Sequence, residues 1–385
     1  MIGFRMPTRT HIEPGSLERL PEAARRVGIH SALLVVDKGI RNHTRWVDVA
    51  VDNLQATGLR VEIFDDVAPN PRTSNVTDAA QALRAAKLDG VIALGGGSVI
   101  DAAKAAAMLA TNTQNIEQYE GRDRYIERPK PMIAIPTTCG TGSEVTWVSV
   151  LTHEPTRSKI SIKGETMFPD QALVDADLLQ TLPSQMVAWT GLDALTHAVE
   201  CVTCLAANDV SDALAGQAIR LIFQYLPRAV ADIEGDAEAR EAVMRASTLA
   251  GLAFGNADVA AVHCLSEALG GLYDVPHGLA NAILLVPVMR FHRQAAQDKL
   301  AWLDRALHST VGGPIDELPL EDRADRFLDD LEGLCRRLEV PSIDTFEIAP
   351  EDHETIAAAA VRNGSNRSNP QPMSPTSYQR ILSSL

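Results

Sequence analysis

Gly90 to Ser98 reads GVIALGGGS, and Met132 to Glu144 reads MIAIPTTCGTGSE. Each is a short apolar run that ends in a cluster of small and hydroxyl-bearing residues. Runs of this length, closed by turn-forming residues, predict buried β-strands. Two more precede them, Ala32 to Val36 (ALLVV) and Val61 to Phe64. Between the strands lie amphipathic segments of helical length, such as Asn75 to Lys87 and Ile100 to Ala110. Apolar strands alternating with helices predict an α/β domain built on a mostly parallel, Rossmann-like sheet with both faces covered.

The texture changes near residue 182. Leu182-Pro183-Ser184 is a helix-start signal. Beyond it Met186 to Leu205, Ser211 to Leu226, Ala237 to Phe254 and Ala324 to Leu338 all carry helical periodicity, with almost no strand alternation. Two domains are therefore expected, an α/β domain over 1–182 and an all-helical domain over 183–385, and a chain of 385 residues is long enough for both. Asn363 to Pro375 is polar and Pro-rich and predicts a surface loop before a last short helix.

Composition narrows the function classes. Hydrophobic residues make up 45% and charged residues 22%, the profile of a globular protein. The formal net charge is −15 and Lys and Arg form no stripe, so nucleic acid is not an expected partner. Met1 to Thr10 carries two arginines with no apolar run behind them, and no stretch is apolar enough to span a bilayer. A cytoplasmic protein with no membrane partner is expected. The five cysteines, an odd and scattered set, do not describe a disulfide framework. Cys201 and Cys204 form a lone CxxC in an apolar helical stretch and read as buried apolar side chains.

Gly95-Gly96-Gly97-Ser98 follows a strand and precedes a helix. Glycines there let a backbone adopt positive φ and come close to a ligand, and the N–H groups of the following helix start can face an anion. The run fits neither common phosphate-loop pattern, so a tight structural turn stays open. Pro136 to Glu144 adds hydroxyls and glycines at the end of the next strand, where open α/β sheets bind ligands, and the pair of loops points to a nucleotide site. Asp37 closes the first strand. Its carboxylate either receives the adenosine ribose hydroxyls and repels a 2′-phosphate, favouring NAD over NADP, or caps a helix.

Asp193 and His197 are four apart on a predicted helix, so both side chains project from one face and can share a cation. His263 and His277 lie on later segments. One carboxylate and three imidazoles suit Zn²⁺ or Fe²⁺ with a position left open, while separate hydrogen-bonded core histidines are the alternative.

At this point the chain resembles the iron-containing, metal-dependent (group III) alcohol dehydrogenases, a family that includes lactaldehyde reductases, 1,3-propanediol dehydrogenases and butanol dehydrogenases. The markers run from Ile12 to Leu17 through Pro69-Asn70-Pro71, Gly95 to Lys104 (GGGSVIDAAK), Pro136 to Thr146 (PTTCGTGSEVT), Thr190 to Glu200 (TGLDALTHAVE) and Gly270 to Asn281 (GGLYDVPHGLAN), to Asn369-Pro370. The resemblance covers nearly the whole chain. It implies the two-domain architecture shared with dehydroquinate synthase, NAD and a metal in the cleft, and a homodimer. It also implies metal ligation by Asp193, His197, His263 and His277. Cofactor contacts are implied for Asp37, Asn70, Gly96, Gly97, Ser98, Asp101, Thr137, Thr138, Thr141 and Lys159. Many members carry a further histidine, credited with proton relay, four residues after the third ligand; this chain has Glu267, which either relays the proton or only shapes the pocket. Trp147 is a second departure, with a place either at the substrate pocket or in the core or an interface.

The implied reaction is hydride transfer between NAD(H) and a small primary or secondary alcohol or aldehyde, with iron or zinc polarising the substrate oxygen. Other readings are an NAD- and metal-dependent lyase like dehydroquinate synthase, a maleylacetate reductase-like enzyme, and a nucleotide-binding sensor without catalysis. The lyase would need a basic pocket for its anionic substrate, yet the region from Thr181 to His277 is poor in Lys and Arg.

Overall fold

The computed structural model describes residues 3–308, 318–346 and 348–385. Its strands are β1 (Arg9–Ile12), β2 (Ser31–Val35), β3 (Arg60–Phe64), β4 (Gly90–Gly95), β5 (Gly121–Arg122), β6 (Met132–Pro136), β7 (Val148–His153), β8 (Ser158–Lys163) and β9 (Gln171–Val174). Six form one sheet in the order β1-β9-β6-β4-β2-β3, with every pair parallel. This is the expected α/β sheet.

Side chains along the central strands alternate between two apolar layers. Leu34, Ile92 and Ile133 pack with Leu20, Trp46 and Leu54 on one face. Leu33, Val91 and Ala134 pack with Val76, Leu83 and Ile100 on the other. A strand buried on both faces has no polar side to show, which is why these segments read as continuous apolar runs. The helices covering the sheet are α1 (Leu20–Val27), α2 (Lys38–His43), α3 (Trp46–Gln55), α4 (Thr73–Ala85) and α5 (Gly97–Leu109). The last of these starts at the third glycine, Gly97, three residues before the Ile100 that the sequence suggested.

A second, small sheet was not expected. The antiparallel hairpin β7–β8, extended by β5, lies where the sequence analysis predicts no strands. The alternation in Ser158 to Lys163 (SKISIK) carries this signal, but four of its six residues are polar because only one sheet face is buried.

After β9 the described residues contain no further strand. The helices are α6 (Ser184–Thr203), α7 (Asp209–Ala231), α8 (Ala237–Phe254), α9 (Ala261–Leu272), α10 (His277–His292), α11 (Gln297–His308), α12 (Leu320–Arg337), α13 (His353–Arg362) and α14 (Pro375–Leu382). They share one apolar core that also takes in Ala172 and Val174 of β9, so the helical half is packed against the sheet's own edge region. Among the described residues no helix is long and apolar enough to cross a membrane.

The stretch from Asn363 to Pro375 is not a surface loop. Ser365 and Ser368 are buried and donate to the carboxylate of Asp258, Asn369 is buried beside Tyr378, and Asn363 Nδ2 donates to Glu267 Oε2 at 2.7 Å. Its polar residues look like loop residues because they satisfy buried partners rather than water. Ser374 then caps α14, whose first position is Pro375. The five cysteines are free, and Cys201 and Cys204 are buried as apolar fillers.

Candidate active site

Strands β2, β4 and β6 end side by side, so Asp37, the glycine loop and the Pro136–Glu144 loop come together at the carboxyl edge of the sheet. The expectation of positive φ in the glycine loop is not met. Gly95, Gly96 and Gly97 are absent from the positive-φ residues, and Gly96 is extended with φ −73°. Their smallness serves close packing instead. A Cβ on Gly97 would lie 2.4 Å from Thr141 Cγ2, one on Gly96 3.1 Å from Thr138 Cγ2, and one on Gly95 2.6 Å from Val99 Cγ2. The two loops therefore touch, and Gly96, Gly97 and Ser98 keep partial exposure at the start of α5. The first N–H groups of that helix have no acceptor inside it, the arrangement that receives a phosphate.

Thr137, Thr138 and Thr141 lie on the second loop, with Thr137 buried and Thr141 Oγ1 accepting from Ser143 N at 3.2 Å. Lys159 on β8 donates to Asn70 Oδ1 at 2.8 Å, which brings two cofactor candidates together. Burial pulls the Lys159 ammonium down to about 8, opposed chiefly by the negative charge of Glu267. Asp37 accepts from Ile40 N at 2.9 Å and so does cap α2, leaving its place at the strand end unchanged. Asp101 is mostly occupied by its own chain. Its oxygens accept from Ser143 Oγ at 2.5 Å and Val150 N at 2.9 Å, with Lys104 Nζ at 3.8 Å, and burial raises its pKa.

The helical half supplies the second part of the site. Asp193 and His197 project from α6, His263 from the first turn of α9, and His277 is the first residue of α10 after the cap Pro276. One donor atom from each of these four lies within 4.8 Å of the others. His263 Nε2 is 3.0 Å from His197 Nε2, and His277 Nε2 is 3.7 Å from Asp193 Oδ1. The alternative of separate core histidines is thus excluded by position. Glycines permit the approach: a Cβ on Gly278 would lie 2.9 Å from Trp189 O, and one on Gly140 3.2 Å from Asp193 Oδ2.

Electrostatics separates the three imidazoles. Burial holds His197 well below the ordinary histidine range and pushes His277 down to about 3. Burial acts on His263 too, but the hydrogen bond and charge of Glu200 outweigh it and leave its pKa raised. The phenyl ring of Phe254 stacks on His197 with centroids 4.2 Å apart, forming an apolar wall. Beside it Trp147 donates Nε1–H to Gly255 O at 2.9 Å and carries the Arg122 guanidinium over its ring, which ties the small sheet to the end of α8. Glu267 stands one turn beyond His263, held by Asn363.

Two residues of the cluster had no assigned role in the sequence. Glu200 is fully buried against His263. Asn281 donates to Asp193 Oδ1 at 2.6 Å and lies 3.2 Å from both His263 Nε2 and His277 Nε2. Helical spacing held the signal for each, since Glu200 falls two turns after Asp193 and Asn281 one turn after His277.

The model of the iron-containing alcohol dehydrogenase matches residues 7–176, and that of the C-terminal region of the Fe-containing alcohol dehydrogenase family matches 187–385. The chain belongs to the iron-containing alcohol dehydrogenase family. It is an oxidoreductase. It is similar to the 1,3-propanediol dehydrogenase of Klebsiella pneumoniae, 36% identical over 96% of this chain and 95% of that one. The NAD-dependent methanol dehydrogenase of Bacillus methanolicus is 33% identical over 96% of each chain. A crystal structure of 1,3-propanediol oxidoreductase superimposes with a TM-score of 0.94 at 35% identity, covering 100% of this chain and 99% of that one.

Proposed function

We propose that this chain transfers a hydride between NAD(H) and a small primary or secondary alcohol or its carbonyl counterpart, with Fe²⁺ or Zn²⁺ held by Asp193, His197, His263 and His277. One observation carries the reading. The loop from Thr137 to Gly142 packs on Gly96 and Gly97 with one side and approaches the Asp193 carboxylate with the other, so a nucleotide cradle and a four-donor cluster share a wall.

The residues fit a divalent metal. A tetrahedral ion bound at about 2.1 Å needs donors about 3.4 Å apart, and the spacings of 3.0 and 3.7 Å bracket that value. Asn281 Oδ1, on a side chain that touches three of the four donors, is buried with no hydrogen-bond partner among the described residues, which suits a polar occupant nearby. Three nitrogens and one oxygen serve iron and zinc alike. When bound, the metal supplies Lewis acidity toward an alcohol or carbonyl oxygen. NAD supplies the hydride acceptor.

The chain's own residues do the rest. Gly96, Gly97 and Ser98 hold the pyrophosphate on the N-terminus of α5, and Asp37 faces the adenosine ribose, favouring NAD over NADP. Asn70, Asp101, Thr137, Thr138, Thr141 and Lys159 complete the cofactor contacts. Phe254 keeps water from the face of His197 that it covers. Glu267 holds or passes the proton beside Lys159, supported by the charge it exerts on that ammonium. The division into domains at residue 182 is supported by the separate family matches on either side of it. A homodimer and a cytoplasmic setting belong to the same reading, the latter supported by five free cysteines.

The test is NADH formation from a panel of short alcohols after chelation and separate reconstitution with Fe²⁺ and Zn²⁺. Activity is expected only with metal, and His277→Ala should abolish it. Normal turnover by that variant would remove the metal from the reading.

A further inference from the structure

Glu200 belongs to none of the assigned groups, yet its surroundings are unusually complete. It sits on α6, three residues after His197, with no exposed surface. Its Oε1 accepts from Val262 N at 2.7 Å, and its Oε2 accepts from Ala260 N at 3.0 Å and lies 2.5 Å from His263 Nδ1. Both backbone donors are N–H groups at the start of α9, which have no acceptor within their own helix. A carboxylate on one helix therefore caps the next and grips that helix's third residue in the same act.

The grip has a chemical consequence. Both oxygens of this carboxyl group already accept from backbone N–H groups, so the imidazole is the donor of the pair and carries its proton on Nδ1. The lone pair then stays on Nε2, the atom that faces His197 Nε2 at 3.0 Å inside the four-donor cluster. A histidine binds a metal through a bare nitrogen, and a hydrogen-bonded carboxylate behind it makes that nitrogen more basic and fixes the ring.

We propose that Glu200 is a positioning residue that sets the protonation and orientation of His263, so that Nε2 is presented to the metal. The inference rests on the proposed metal site. Glu200 touches neither substrate nor cofactor and acts only through His263. Asp193 and His277 do not depend on it, because Asn281 and the start of α10 hold them.

Glu200→Gln keeps the shape and removes the charge. Its one oxygen cannot serve both Val262 N on one side and the Ala260–His263 pair on the other, so one side must face an amide N–H₂. The affinity of the metal-free protein for Co²⁺ or Zn²⁺, measured by competition with a chelator, should fall about 10- to 100-fold. Wild-type affinity in a folded Glu200→Gln protein, judged by circular dichroism and NAD binding, overturns the proposal. A second measurement needs no variant and no metal. In imidazole-¹⁵N-labelled, metal-free wild type, His263 should carry a proton on Nδ1; a bare Nδ1 overturns the proposal even if the variant fails to fold. Should the wild type bind no divalent cation, the metal reading fails, while the Nδ1 result still decides whether Glu200 orders His263.

Discussion

Asn70 Nδ2 donates to Asp274 Oδ1 at 2.9 Å, joining a loop of the sheet half to the turn between α9 and α10. Both residues have left-handed backbones, φ 55° and 58°, and Asn70 stands between Pro69 and Pro71. The second oxygen of Asp274 accepts from Arg72 at 2.7 Å, and Asn70 Oδ1 accepts from Lys159. One exposed carboxylate thus orients Asn70 and, through it, Lys159, both proposed to meet the cofactor.

Asp274→Ala should release Asn70 without opening the core. Loss of one such hydrogen bond is worth about 1 kcal/mol, so KM for NAD is expected to rise about 5-fold with a smaller change in kcat. Steady-state kinetics with NAD as the varied substrate checks this; an unchanged KM would separate Asn70 from the cofactor.

Gly97→Ala places a methyl group 2.4 Å from Thr141 Cγ2 and 2.7 Å from Oγ1. The second loop must move, at a stability cost of about 1 to 3 kcal/mol. NAD affinity should fall sharply while Zn²⁺ binding persists. Isothermal titration of each ligand measures both, and retained NAD affinity would contradict the role given to the contact between the loops.

Asp37→Ser tests cofactor choice separately from helix capping, because serine can still accept from Ile40 N. Removing the charge should raise the ratio of kcat/KM for NADP over NAD by about 10-fold, a change of about 1.4 kcal/mol. A ratio that does not move would leave Asp37 as a cap alone.

Lys104 is fully buried on α5 and donates to Ser143 Oγ, Thr146 Oγ1 and Val148 O at 2.7, 3.1 and 2.9 Å. Burial lowers its pKa from 10.5 to about 8. The folded state therefore disfavours the charged form, an unfavourable contribution that is fully present below pH 8 and relieved as pH rises toward 10.5. Relative to Lys104→Met, wild-type protein should gain stability across that window in urea unfolding. No gain over that range, with stability lost only above pH 10.5, would mean the three acceptors outweigh desolvation.

Much of the fold was legible because its signals are local. Ala32 to Val36, Gly90 to Leu94 and Met132 to Ile135 read as strands since burial on both faces forces them to be apolar throughout. The hairpin over Val148 to Lys163 was missed for the opposite reason, its half-exposed strands carrying more polar than apolar residues. Asn363 to Ser368 misled because serine and asparagine have one composition whether they bond to water or to Asp258 and Glu267. The glycine loop was placed correctly and explained wrongly: Gly97 is small for the sake of Thr141, a residue 44 positions away, not for a backbone angle.

Sequence alone determined the parallel sheet, the two loops at its carboxyl edge, and the pairing of Asp193 with His197, since a helical turn brings residues four apart onto one face whatever surrounds them. Tertiary structure decided that His263 and His277 reach that pair, that Glu200 stands behind one imidazole and that Asn281 lies among the others. Those distances belong to the packing of α6, α9 and α10, and no spacing along a chain encodes the separation between atoms on different helices.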